Sequence, residues 1–444
     1  MKRRWIGWLF NRLLVALVLY AAVYTLLNLY LSSKIKAATK ALHELGAAAN
    51  EKEFQIPQHG GPDAGPYWRA AGELWQAVAE KAPGKSEQET ARTKLIKAYA
   101  LNEGQLRHKE SLEPADQATI AELRSVVSQS EQLLSLLVTA AQRPGYRSTL
   151  DYGKGFALEL PHLAQARDMA YLTRLAAELS ILDGNRQQAI EYWTALRHLA
   201  RWQAQDLTVI GQVVANWIEE VLCRSVQESL KVVEFSNEDL ERLQTHFATG
   251  RDHEQDTFRS LDAEMIYGGL AWFDALIHGY QKPYNPGIRV HGAARLWVKA
   301  NKAHYLALFS EFLAQTKATY DDNTPISTRK LGEPEFPWYA HLSAAMTPRV
   351  SRVFEKVLQA ETAWRLTDCT LQLARYKIAH GQYPDSLSDL PAGAGSFIDP
   401  FAKKTLRYLP KGEGFVLYSV GPNLQDDGAS LDDEHADIVV ALTK

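Results

Sequence analysis

The stretch His380–Leu390, HGQYPDSLSDL, continued by Ile398–Val440, IDPFAKKTLRYLPKGEGFVLYSVGPNLQDDGASLDDEHADIVV, decides how this 444-residue chain is read. Just upstream, Val357, Trp364, Leu371 and Ile378 recur at a seven-residue step. Val353, Ala360 and Ala374 fall on the neighbouring row, so the segment predicts a helix with one apolar stripe. Gly381 is placed to end that helix in the left-handed conformation, with Pro384 close behind. Thr405–Leu409 and Phe415–Val420 flank a Gly-containing loop and predict a hairpin, after which an acidic loop returns to a last strand. The tail is therefore expected to be a small α+β unit, a long helix against a short antiparallel sheet.

The order of these pieces, RYKIAHGQYPDSLSDL, then DP, LRY, FVLYSVGP, an acidic loop and ADI, resembles the C-terminal part of the major pseudopilins of type II secretion systems. Those proteins are filament subunits, and the likeness covers about the last 80 residues. It implies the small fold and a calcium ion held in the acidic loop. A pseudopilin also begins with a basic leader, a Gly followed by an aromatic residue, and a Glu five positions into the mature helix. Here Gly7 precedes Trp8, but the decisive position holds Arg12 and no acidic residue occurs before Glu44. Filament assembly is therefore not carried over. The whole chain is similar to large bacterial envelope proteins that join an N-terminal anchor, a helical body and a tail of this kind.

At the other end, Lys2, Arg3, Arg4 and Arg12 surround Trp5 and Trp8, and Leu13–Ser33 contains no charge. As a helix this run is long enough to cross a bilayer core of about 30 Å. The basic tip with its interfacial aromatics places the N-terminus in the cytoplasm. A cleaved signal peptide fits less well, because its apolar core is shorter and is followed at once by small residues. The expected arrangement is a single-pass protein of the bacterial inner membrane, held through Leu13–Leu31, with its body in the periplasm. Its divisions are a tip and anchor (1–33), a stalk and linker (34–66), an α-helical domain (67–350) and the pseudopilin-like domain (351–444). The helix is expected to continue into solvent from Lys34 to Leu45, after which IPQHGGPDAGP, Ile56–Pro66, forms a linker or sharp turn.

Between anchor and tail the pattern is helical throughout. Trp68–Lys81, Glu87–Asn102 and Pro114–Arg143 show helical apolar spacing, and Leu150–Leu163 is an irregular connector before a helix started by Pro161. Ala164–Ile181 and Gln187–Gln203, joined by Asp183-Gly184-Asn185, form the clearest helical hairpin, with Ala189, Trp193, Leu196 and Ala200 on one face. It resembles one tetratricopeptide-type unit, but no second copy follows at the required step, so an irregular helical domain is expected. Further helices are predicted at Leu207–Val233, after Ser236-Asn237, at Asp256–Gly279 and at Ala293–Thr319. Asp321–Trp338 is an unpatterned surface loop.

A net charge of −3 with scattered basic residues argues against nucleic acid as a partner. Cys223 and Cys369 are compatible with a disulfide or with buried free thiols, and two cysteines alone cannot make a zinc framework.

Calcium takes oxygen ligands from carboxylates and carbonyls, and the acidic loop supplies Asn423, Asp426, Asp427, Asp432, Asp433, Glu434 and Asp437. Candidate ligands are Asn423, Asp426, Asp427, Asp433 and Asp437. Asp437, in the ADI that the resemblance matches, leads them, whereas Asn423 stands where the family has a carboxylate. An EF-hand register starting at Asn423 fails at Gln425 and lacks flanking helices. The alternative is a solvated acidic loop that blunts a sheet edge. Gly84-Lys85-Ser86 lacks the rest of a phosphate loop, and His253-Glu254 lacks the second histidine of a zinc-protease helix. Glu264, in SLDAEMIYGGLAW, is an internal carboxylate to examine, its other reading being a paired helix charge. The expectation is thus a non-enzymatic, membrane-anchored scaffold that binds other proteins and is associated with secretion-like machinery. An envelope hydrolase with its site between the helices is the alternative. A carboxylate–histidine cluster in a deep pocket would favour the hydrolase, and a shallow groove lined by Trp and Tyr the scaffold.

Overall fold

The computed structural model describes residues 2–56, 60–80, 117–248, 250–279, 288–320, 334–390, 397–430 and 437–442. As the sequence predicts, the chain is mainly α-helical, with one long apolar helix at its N-terminus and a three-stranded antiparallel sheet at its C-terminus.

Helix α1, Lys2–Glu44, is unbroken, and its apolar part from Trp8 lies outside the packed body. The stretch beyond Lys34 does not run free into solvent as expected. Ile35, Ala38 and Leu42 recur at helical spacing, and this narrow stripe lets Ala38 and Leu42 bury themselves in a core with later helices. The main partner is the helix Gly292–Tyr320, which packs along α1. Lys299 Nζ donates to Asn28 Oδ1 at 2.7 Å and Ser32 Oγ at 2.9 Å, and Lys317 Nζ donates to the Leu45 carbonyl at 2.7 Å.

The body has two main cores. The first collects α2 (Gly65–Glu80), α3 (Gln117–Gln129), α4 (Glu131–Ala141), α5 (Pro161–Leu182), α6 (Arg186–Gln205), α7 (Val209–Val232) and α8 (Asn237–Ala248). The helix expected over Pro114–Arg143 is two helices meeting at Ser130, and Glu87–Asn102 lies outside the described residues. Pro161 opens α5 at its first turn, where a missing N–H costs nothing. Asn185 caps α6 by accepting from the Gln188 N–H. The predicted face, Ala189, Trp193, Leu196 and Ala200, is buried, and Trp193 Nε1 donates to Ser225 Oγ of α7 at 3.0 Å.

The second core holds the end of α1, α9 (His253–Ala263), α10 (Ala271–His278) and α11 (Gly292–Tyr320). The helix expected at Asp256–Gly279 is interrupted by a π-helical turn, Glu264–Leu270. Tyr305 explains part of this. Its ring lies where a Cβ on Gly269 would be, 2.4 Å from Cζ, and its hydroxyl accepts the Gly269 N–H. A wider turn built on glycine gives that ring room. The short α12 (His341–Met346) is pinned to α11 by Asn301, whose Oδ1 accepts the Leu342 and Ser343 N–H groups.

Helix α13, Val350–His380, runs through both cores into the tail. Val350, Val353, Phe354 and Val357 belong to the second core, and Trp364 and Leu371 to the first. Leu366, Cys369 and Leu373 pack under the sheet. Ile378, the last member of the predicted stripe, is exposed. Gly381 ends the helix at φ +79°, as predicted.

The sheet order is β1 (Arg407–Lys411), β2 (Gly414–Ser419), β3 (Ile438–Leu442), with β2 central and both pairings antiparallel. Pro410, which has no N–H to donate, sits on the edge strand β1. The Asp-Pro corner is structural. Buried Asp399 accepts from the Phe401 and Val420 N–H groups and from Ser419 Oγ, which ties the corner to the end of β2.

Candidate functional site

The acidic loop lies at the open end of the sheet, after the Asp399 corner. Asp437, just before β3, is 5 % exposed, and its two oxygens accept the Asp427 N–H at 3.4 Å and the Ala429 N–H at 2.7 Å. Burial pushes its carboxyl up; those N–H groups pull the other way, and the charges of Asp426 and Asp427 add to the rise. Asp426 is held by the Arg407 guanidinium at 3.0 Å and by the Tyr418 hydroxyl, and the Arg407 hydrogen bond draws its carboxyl down. Asn423 Nδ2 donates to Asp427 Oδ2 at 2.7 Å. The structure thus brings Asn423, Asp426, Asp427 and Asp437 together, with protein donors on their oxygens. Asp433 lies outside the described residues, as do Asp432 and Glu434. Among the described residues no group of three or more His, Cys, Asp or Glu side chains is arranged to hold one metal ion.

A second cluster, not anticipated from sequence as a unit, is sealed between α7 and α9. His253 Nε2 stands 2.7 Å from Glu219 Oε2, and Arg251 Nη1 3.3 Å from the same oxygen. Arg251 also donates to Asp256 at 3.0 Å and to Asn216 at 3.2 Å. Burial works against every charge here, since the Glu219 and Arg251 side chains are 2 % exposed and His253 5 %. The charges of His253 and Arg251 nevertheless hold Glu219 below the usual carboxylate range, and Glu219 holds His253 above the usual imidazole range. Among the described residues the nearby Gln212 amide and the Asn216 Nδ2 have no protein partner and are of the kind that ordered water satisfies. His253 is thus a buried ion-pair partner rather than the start of a zinc site.

An open cleft of about 950 Å³ lies where the distal end of α1 meets α9 and α11. Its ionisable lining includes His43, Glu53, Glu254, Asp262 and Lys317, with Phe54 and Phe258 as phenyl members. Asp262 ties the loop after α1 to α9 by accepting the Ala48 N–H at 3.1 Å, and its other oxygen is buried with no partner among the described residues. Burial pushes the Asp262 carboxyl up to about 7, against the Ala48 N–H and with help from Glu53, so it can carry a proton near neutral pH. Among the described residues no Ser, Thr or Cys lines the cleft, and its reactive groups are the carboxylates, His43 and Lys317. None of Glu219, Arg251 and His253 reaches it. Glu264, the carboxylate singled out in the sequence, opens the π turn, and burial raises its carboxyl against a hydrogen bond from the Val209 N–H.

Both cysteines are free and buried, Cys223 in the first core and Cys369 beneath the sheet. Comparisons of the chain with protein-family models, with curated proteins and with solved structures found no match.

Proposed function

We propose that the protein is a non-enzymatic, membrane-anchored envelope scaffold. Its N-terminal tip lies in the cytoplasm, its body and pseudopilin-like tail lie in the periplasm, and its partners are other proteins, those of type II secretion-like machinery first. The observation that carries this reading is the continuity of α1. One helix passes from the apolar segment into the second core without a hinge, a join that supports a body carried at one height and orientation. The chemistry of the sites agrees with it. Among the described residues the tightest carboxylate–histidine pair is sealed away from solvent. A calcium ion in the tail loop, with Asp437 and Asp427 among its ligands, belongs to the same proposal.

The test is affinity capture of the detergent-extracted full chain, with and without a chelator. Co-purification of secretion components that is lost on chelation is the expected result. Recovery of the protein alone under both conditions would refute the scaffold. The near-neutral carboxyl of Asp262 in an open cleft favours hydrolysis as a second reading. That reading requires turnover of ester, amide or glycoside substrates by the purified chain, abolished in Asp262→Asn.

A further inference from the structure

The cleft where α1 ends against α9 and α11 carries more charge than the fold uses. Most of its ionisable groups are committed. Glu53 accepts from the Ala49 N–H at 2.9 Å and from Asn50 Nδ2 at 2.6 Å, and it pairs with His43 at 2.9 Å. Asp252 caps α9 by accepting the Gln255 N–H. The Lys317 ammonium donates to the Leu45 carbonyl and lies 5.3 Å from the Phe258 ring centroid. Glu254 stands in the first turn of α9, where the helix dipole favours a negative charge. Among the described lining residues this leaves Asp262 and Arg259, which are of opposite sign.

Asp262 is 6 % exposed, and only one of its two oxygens has a partner among the described residues. That partner is a backbone N–H, so the carboxyl is buried in the cleft wall without a cation beside it. A carboxylate in that position is costly, whereas a guanidinium at a solvent-facing surface is not. Arg259, half-buried on the same face of α9 one turn earlier, makes no hydrogen bond or ion pair among the described residues. The two residues are about 4.5 Å apart along the helix axis, yet the short Asp262 side chain turns to Ala48 and does not reach the guanidinium. Phe54 and Phe258 form apolar walls beside them, and Phe54 is held edge-on by Tyr267 at 5.7 Å between ring centroids.

We propose that this cleft binds a free α-amino acid with an apolar side chain, its ammonium on Asp262, its carboxylate on Arg259 and its side chain against Phe54 and Phe258. One ligand then satisfies both unmatched charges, because the ammonium and carboxylate of an amino acid flank a single carbon and suit two groups one helical turn apart. A simple amine would answer Asp262 and leave Arg259 unused, and a simple acid would do the reverse. The cleft, at about 950 Å³, has room for the largest side chains. The site goes beyond the scaffold reading and does not depend on which compartment holds the body. A free amino acid also has no ester, amide or glycosidic bond to cleave, so binding and hydrolysis are tested separately.

The test is isothermal titration calorimetry of the detergent-solubilised full chain at neutral pH. L-phenylalanine and L-leucine carry both charges, phenethylamine lacks the carboxylate, and N-acetyl-L-phenylalanine lacks the ammonium. The expected result is binding of both amino acids, with each truncated probe weaker by about 10- to 100-fold, the worth of a charge-assisted hydrogen bond. Arg259→Gln should weaken L-phenylalanine by that factor and leave phenethylamine unchanged. Asp262→Asn, which keeps an acceptor for the Ala48 N–H, should weaken L-phenylalanine and leave N-acetyl-L-phenylalanine unchanged. Burial holds the Asp262 carboxyl at about 7, and an ammonium beside it favours the charged form. Binding should therefore release a proton from the wild type and none from Asp262→Asn, read from the heats in two buffers of different ionisation enthalpy. Phenethylamine bound as tightly as L-phenylalanine, or an Arg259→Gln loss shared by both probes, would overturn the paired-charge site. So would failure of both amino acids to bind at millimolar concentration. Arg259 holds nothing in the described structure, so Arg259→Gln decides the matter even if Asp262→Asn does not fold.

Discussion

Replacing Glu219 by Gln tests whether the sealed cluster is structural. The substitution keeps the shape and one acceptor but removes the charge shared by His253 at 2.7 Å and Arg251 at 3.3 Å. Removing one partner of a buried ion pair costs about 3–5 kcal/mol. The low end applies, because Arg251 retains Asp256 and Asn216 and His253 can shed its proton. At about 2–4 °C per kcal/mol for a medium-sized domain, a loss of about 3 kcal/mol lowers Tm by about 6–12 °C.

The pH dependence adds a second readout. His253 titrates above its ordinary value of 6.5, so its stabilisation is complete below pH 6.5 and is lost as pH rises through the higher folded value. Glu219 titrates below 4.5, so its contribution is present above pH 4.5 and is lost as pH falls through the lower folded value. The wild-type protein should therefore lose thermal stability on the alkaline side of pH 6.5, and Glu219→Gln should flatten that slope. His253→Gln and the double variant should show less-than-additive losses, because the two side chains form one contact. Differential scanning fluorimetry of the detergent-solubilised chain across pH 5–9 measures all of this. A Tm change under about 2 °C, or an unaltered slope in Glu219→Gln, would refute the reasoning.

Asp399→Ala removes an acceptor from three donors at once, and at about 1 kcal/mol for each bond it should cost the tail about 3 kcal/mol. Faster hydrogen exchange at Phe401 and Val420, with the α6 amides unchanged, is the check. Leu42→Ala empties a fully buried position where α1 meets the second core and should cost about 2–5 kcal/mol. Protease cleavage near Gly46 at low enzyme concentration should report it, and a resistant variant would mean that α1 is only loosely seated. Calcium should raise the Tm of the full chain, since a ligand that binds only the folded form must do so. Asp437→Asn should abolish the response, and an unchanged Tm in the wild type would sink the ion site.

The hairpin of α5 and α6 and the outline of the tail were legible in sequence because their signals are local. Ala189, Trp193, Leu196 and Ala200 sit one helical turn apart, and Gly381 marks its own stop. The docking of α1 was not legible. Its contact stripe is only Ile35, Ala38 and Leu42 between lysines, which reads as a solvated helix until α11 supplies the partner. The Glu219–His253 pair was hidden for a related reason, since long-range contacts leave no periodic trace. In the sequence His253 stands out only as part of a motif it does not complete. The π turn has a faint sign in Gly268-Gly269, but nothing local announces that Tyr305, 36 residues on, will press against it. In the acidic loop sequence gave the composition and missed Arg407, which sits opposite Asp426 on the first strand of the hairpin.

Helix α13 gives side chains to both cores of the body and to the underside of the sheet. The tail thus has no seam along which it could be cut free, because any break through α13 also strips Phe354 or Trp364 from a neighbouring layer. A pull applied at the sheet would travel down this one girder to the helices of the second core as an axial load. The molecule should accordingly respond to tension as a single stiff rod rather than as beads on a string.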